Sequence, residues 1–349
     1  MGSSSGFDLL CRAISEENKN VHSIHVNDYS YYLGSRRRKI SSWLYKTPPL
    51  MAHWPSPFVT PLHAAVSEQI IRTACNEAKP VILLTYGENQ YSAQLASAGA
   101  DLRKKLVVFL HQPPSWHRLF WQDISVFDNI GAIICLSKEL AHYMASITKS
   151  PVFNIRHGVD LDFFQPYDKN TSTLPYKLLF VGQWLRDFET LEKAFTIIQA
   201  QHPTIKLDCV VPFNKREALP LMRLARFSNV RWHAQISSHD LRLLYQKASL
   251  LLLPLIDATA NNAVVEALAC GLPVITSDVG GIEEYIDHHS GELCPAGNAE
   301  AHAQATLRWL GAKERRERAA LTTRLFAEDH LCWKDIASEV LMHLNCIEK

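Results

Sequence analysis

Residues 250–281 read LLLLPLI (250–256), DATANNAVVEALACG (257–271) and LPVITSDVGG (272–281). The outer pieces are short apolar runs of strand length. The middle piece is a polar loop leading into AVVEALAC, a helix whose end is marked by Gly271 and then Pro273. Strand, loop, helix and strand in succession call for parallel pairing, with a helix covering the sheet. On this reading Asn262 caps the helix, which puts Glu266 about one turn inside it. A single carboxylate among Ala, Val, Leu and Cys either faces water, favoured by the helix dipole, or holds something.

Outward from this unit the same alternation continues. Strands are expected at 81–86, 105–111, 132–137 and 152–158, and a second series at 176–182, 206–212, 230–234, 249–256 and 273–278. Between the series, 160–175 (DLDFFQPYDKNTSTLP) is polar, carries two prolines and lacks helical period, as a linker would. In 186–200, Phe188, Leu191, Ala194, Phe195 and Ile198 recur at helical spacing, and so do Leu331, Ile336, Val340, Leu341 and Leu344 within 328–344. The fold class expected is α/β with two doubly wound, Rossmann-like domains. Their expected bounds are 1–165, with its first strand missing, and 166–327, followed by a terminal helix at 328–349 that packs back on the first domain.

A chain of 349 residues exceeds one ordinary core, in keeping with two domains. A net charge of +1 gives no global attraction for nucleic acid. The longest apolar runs are far short of the roughly 20 residues that cross a bilayer, and the first residues lack a signal-peptide core, so a cytoplasmic protein is expected. The eight cysteines are spread singly, without zinc or dithiol spacing.

In doubly wound sheets, ligands bind at the carboxyl ends of the strands. The helix start after 256 presents exposed amides that favour an anion such as a diphosphate. Glu266 then lies where its two oxygens can accept both hydroxyls of a ribose.

From 176 to 310 the chain resembles the nucleotide-binding half of family 4 glycosyltransferases, retaining enzymes of the GT-B fold. The matching string is VVEALACGLPVITSDVGGIEEYI (264–286), approached by NVRWHAQISSHDLRLLYQKASLLLLPL (229–255). RHGVDLDFF (156–164) is similar to the family's entry to its interdomain linker, so Asp160 and Asp162 belong to that motif and not to a metal site. The resemblance implies transfer of a sugar from a nucleotide diphosphate donor to a hydroxyl on a glycan, lipid or small molecule, without metal or other cofactor. It implies that Glu266 binds the ribose. The family's second Glu, eight positions earlier, is Ala258 here, leaving Asp257, Thr259, Asn261 and Asn262 to hold the sugar. In FVGQWLRDFETL (180–191), Gly182 belongs to the diphosphate loop, Arg186 matches the family's Lys, and Gln183 stands for its Arg. Lys215 and Arg216 are placed to compensate. Two rival readings stand beside this one: a sugar-nucleotide epimerase of the same fold, and a non-catalytic scaffold subunit.

In VVFLHQPPSWHR (107–118), His111 ends a strand, where similar enzymes line the site of the donor sugar, so it is the catalytic candidate. Tyr86, Glu88 and Asn89 end the preceding strand as either a satisfied turn or an acceptor-side group. Arg36, Arg37, Arg38 and Lys39 with Trp43 form either a solvated face or a peripheral contact with an anionic membrane. GSSSGFDLLCRAI (2–14) resembles the fold's Gly-rich loop and first helix, with Gly6 on the acceptor side. A central strand ought to precede it, and without one Phe7, Leu10 and Ile14 are expected to be left uncovered.

Overall fold

The computed structural model describes residues 6–18, 81–90, 99–120, 124–167 and 176–347. They gather into two compact units, one of Met1–Leu10 with Arg156–Ile336 and a smaller one of Cys11–Ile155 with Ala337–Lys349. The chain therefore passes between units three times, and two of the passages run through helices.

The first helix, α1 (Phe7–Glu17), is followed by β1 (Ile82–Leu84), α2 (Gly87–Gln90), α3 (Ala100–Arg103) and β2 (Leu106–Leu110). Then come α4 (Pro114–Phe120), β3 (Ala132–Cys135), α5 (Lys138–Ile147) and β4 (Val152–Asn154). Among the described residues the smaller unit's sheet runs β1-β2-β3-β4, all parallel. Every residue of β2 and β3 is buried, as expected of strands covered on both faces.

The larger unit begins its sheet with β5 (Lys177–Val181), α6 (Phe188–Gln201), β6 (Lys206–Val210), α7 (Leu219–Leu224) and β7 (Val230–His233). It continues with α8 (Ser238–Lys247), β8 (Leu250–Leu253), α9 (Asn262–Ala269), β9 (Val274–Asp278) and β10 (Gly291–Pro295). The last helices are α10 (Ala299–Gly311), α11 (Lys313–His330) and α12 (Trp333–Ile347). Strand order is β10-β9-β8-β5-β6-β7, parallel throughout. The chain winds one way from β5 to β7, returns to β8 on the other side of β5, and winds outward again. The pair β5–β8 is thus the topological switch point. Side chains cap the helices around it: Asp187 accepts from the Thr190 amide at 2.9 Å, and Ser237 from that of Asp240 at 3.0 Å.

Three expectations need correction. Strand β10 was not foreseen, because GELCP combines Gly, Pro and a charge and has little strand propensity; it is held by its pairing with β9. The amphipathic stretch 328–344 is not one helix. It breaks at Leu331–Cys332, where the Leu331 carbonyl accepts the Val159 amide at 2.8 Å and Cys332 bridges to Val159. Finally, Phe7, Leu10 and Ile14 are buried, at 2%, 0% and 2% exposure, so α1's apolar face is covered. Phe7 meets the rings of His157 and Trp333 edge-on at 5.4 and 5.5 Å between centroids.

The turn after Val159 is held from outside. Asp160 caps it by accepting the Phe163 amide at 2.9 Å. The Arg324 guanidinium donates to the carbonyls of Phe164 at 2.8 Å, Ala269 at 3.0 Å and Leu161 at 3.3 Å. Arg324→Ala is expected to cost about 1.5–3 kcal/mol, the range for hydrogen bonds to a charged group. Urea unfolding measures this, and an unchanged midpoint would leave those bonds without weight.

Candidate functional site

Beyond the switch point, the chain leaving β5 turns sharply. Gly182 has φ +99°, and a Cβ there would lie 2.7 Å from Arg186 Nη2, so the glycine makes room for the guanidinium. Leu185 takes φ +54°, and the turn is fastened to the chain leaving β8. The Ile256 amide donates to the Leu185 carbonyl at 2.9 Å and the Asp187 amide to that of Pro254 at 3.0 Å. Folded back in this way, Arg186 donates from Nε to Val181 O at 2.9 Å and from Nη1 to Trp184 O at 2.9 Å. From Nη2 it reaches Asn261 Oδ1 at 3.1 Å. Three of its five N–H groups are used, and two take no partner among the described residues. Burial lowers its pKa to about 10 against the opposing pull of Tyr245 and Glu266, so it stays a cation at neutral pH.

The helix α9 starts one residue earlier than expected. Asn261, not Asn262, is its cap, accepting the Ala263 amide at 3.0 Å on the oxygen that also takes Arg186. Adjacent asparagines made the two registers equivalent in sequence. Asn262 is the first helical residue and is partly exposed. Glu266 lies one turn on and is only 4% exposed, so it is not a solvated first-turn carboxylate. Its Oε2 accepts the Tyr245 hydroxyl at 2.8 Å. Burial pushes its pKa up to about 7, opposed by that hydrogen bond and by Arg186. Tyr245, on α8, was not singled out from the sequence; its partner is 21 residues away and nothing local marks it.

The loop between β8 and α9 packs on the turn after β9. The Ala258 carbonyl accepts the Gly281 amide at 3.1 Å, and Asp257 Oδ1 accepts the Ala258 amide at 2.7 Å. Ala258 and Thr259 are buried at 4% and 2%. Arg186, Asn261, Glu266 and Tyr245 are therefore one cluster, with Gly182 and Thr259 beside it on the same strand ends. Arg216 follows β6, donates to Val211 O at 3.0 Å and lies over the rings of Phe213 and Trp232 at 4.5 and 5.3 Å.

In the smaller unit, the ends of β1 and β2 bring Tyr86, Glu88 and His111 together. The rings of Tyr86 and His111 stack at 4.8 Å and 16°. Glu88 is 4% exposed and faces His111. Asn89 belongs to α2, but its side chain lies outside the described residues. Gly6, at φ +98°, precedes α1 and falls in the larger unit. Arg36–Lys39 and Trp43 also lie outside the described residues.

The cation, the buried carboxylate and the capped helix start thus meet on the switch point of a parallel sheet, the place where ligands of such sheets bind. Comparison with known proteins agrees: residues 175–312 match the family model described as glycosyl transferases group 1. The chain is 31% identical over 185 residues to D-inositol 3-phosphate glycosyltransferase 2 of Catenulispora acidiphila, covering 47% of this chain and 43% of that one. To the D-inositol 3-phosphate glycosyltransferase of Streptomyces bingchenggensis it is 29% identical over 172 residues, or 43% and 38% of the two chains. The match thus spans less than half the length of these relatives. The solved structure of Anabaena Alr3699/HepE in complex with UDP superposes with a TM-score of 0.64 at 18% identity, covering 81% of this chain and 82% of that one. Sucrose-phosphate synthase from Thermosynechococcus elongatus gives 0.60 at 21% identity over 69% and 67%. Two Rossmann-like sheets of GT-B type are the fold of this chain, and its stretch 175–312 is similar to glycosyl transferases group 1. Among the described residues no helix is long and apolar enough to cross a membrane.

Proposed function

We propose that the chain is a retaining, metal-independent glycosyltransferase of family 4 that moves a sugar from a nucleoside diphosphate sugar to a hydroxyl acceptor. The observation that carries this reading is the junction of Arg186, Asn261 and Glu266 at the switch point. Its two remaining guanidinium N–H groups and the start of α9 suit a diphosphate. Glu266 suits a ribose. The bond from the sugar's C1 to the diphosphate breaks with its electron pair leaving on the phosphate, whose charge Arg186 stabilises. The acceptor oxygen bonds to C1 on the same face, and its proton passes to the departing phosphate oxygen. His111 polarises a sugar hydroxyl.

The names of the inositol phosphate glycosyltransferase relatives support a small hydroxyl-rich acceptor, and the UDP complex of Alr3699/HepE supports a uridine nucleotide. Six free thiols among the described cysteines suit a reducing, cytoplasmic setting, and the basic run 36–39 remains our proposal for peripheral membrane contact. Ala258 favours a second reading: with no carboxylate at position 258, the domain binds nucleotide as a subunit of a partner transferase. UDP release from UDP-glucose, measured with and without inositol phosphate, separates the two. Acceptor-dependent release is expected. UDP binding with no release on that acceptor or on glycan and lipid acceptors would favour the subunit.

A further inference from the structure

We propose that Glu88 is a positioning residue for His111, a buried carboxylate that fixes both the strand-end peptide and the tautomer of the imidazole. The inference rests on the reading of His111 as the group acting on the sugar.

The geometry begins with Gly87. A Cβ at this position would lie 2.2 Å from Val108 Cγ1 and 2.5 Å from the Phe109 carbonyl oxygen, so only glycine lets α2 press onto β2. That approach carries Glu88 over the end of β2. There its Oε1 accepts the backbone amides of both His111 and Gln112, the second at 2.8 Å. Oε2 lies 3.3 Å from His111 Nδ1. On the far side, His117 Nε2 stands 3.7 Å from Oε1. Two amides and two imidazoles thus surround a carboxylate that is 4% exposed, and little of it is left for an acceptor hydroxyl. Its assignment to the acceptor side is corrected accordingly.

Protonation states agree with the geometry. Burial alone would raise the Glu88 pKa, but the hydrogen bond to His111, the two imidazoles and the Gln112 amide outweigh it and hold the group at about 2. It is therefore an anion at any working pH. Burial lowers the His117 pKa to about 4 against the pull of Glu88, so that ring is neutral at pH 7. An anion at Nδ1 requires the proton of neutral His111 to sit on Nδ1, because the opposite tautomer would set a lone pair against a carboxylate. Nε2 is then the acceptor nitrogen. Tyr86, stacked on the ring, restrains its rotation.

The test reads the imidazole directly. Nitrogen-15 NMR of the full chain is expected to show neutral His111 with its proton on Nδ1, and Glu88→Gln to shift it toward the Nε2–H form. Glu88→Gln should also slow UDP release from UDP-glucose at least 10-fold with KM changed less than 3-fold. Combined with His111→Asn, it should add no further loss. A wild-type His111 protonated on Nε2 overturns the proposal even if the variant fails to fold, and so does a variant that keeps both tautomer and rate. If His111→Asn leaves UDP release unchanged while Glu88→Gln moves the tautomer, the reading of His111 fails and the positioning by Glu88 stands.

Discussion

Glu266→Ala is expected to weaken UDP binding roughly 10- to 150-fold, or about 1.5–3 kcal/mol, as for hydrogen bonds to a charged group. The carboxylate has one oxygen engaged by Tyr245, and on the proposed function its remaining lone pairs take the ribose hydroxyls. Calorimetry with UDP and 2′-deoxy-UDP separates this role from a structural one. The wild type should prefer UDP, and the variant should lose most of that preference; if the preference survives, Glu266 does not hold the ribose. Its raised pKa adds a pH dependence whose sign is fixed. A carboxyl whose folded value, about 7, lies above its ordinary 4.5 favours the fold below 4.5, and this contribution is lost as pH rises through about 7. Binding should move the other way, tightening above pH 7, because only the ionised group accepts from both hydroxyls. Glu266→Gln should flatten both trends.

The second large effect is at Arg186. Arg186→Ala is expected to lower turnover about 100- to 1000-fold while weakening UDP-glucose binding far less, since in the proposed mechanism the charge it faces grows as the diphosphate leaves. The same guanidinium holds the turn through Val181, Trp184 and Asn261, so Arg186→Lys is the needed companion. Lysine keeps the charge and lacks the fork. Partial recovery of turnover in Arg186→Lys marks an electrostatic role. Turnover and affinity falling in equal measure in both variants would mark Arg186 as a structural pin and refute the role.

Much of this was legible in the sequence because the deciding features are local. Apolar runs bounded by Gly, Pro and Asn located nine strands, and the run from Asp257 to Gly271 located the helix that carries Glu266. What escaped depends on partners far along the chain. Tyr245 reaches Glu266 across 21 residues, Arg186 reaches Asn261 across 75, and Glu88 reaches His111 across 23. Glu88 in particular reads as a polar turn residue, and nothing in TYGENQY says that the glycine before it lets the next strand end close over the carboxylate. The break at Leu331 was hidden for the same reason, since the amide of Val159 claims a carbonyl that a continuous helix would have kept.

The contacts of Phe7 with His157 and Trp333, and the bridge from Val159 to Cys332, bring together three stretches at which the polypeptide leaves or enters the larger unit. The halves are therefore triply tethered. A protease that cuts at one crossing leaves two covalent connections intact, and the nicked product should migrate as a single species until it is denatured. The same arrangement makes the halves poor candidates for separate expression, because a cut in the linear gene at any single position assigns at least one of these three stretches to the wrong piece.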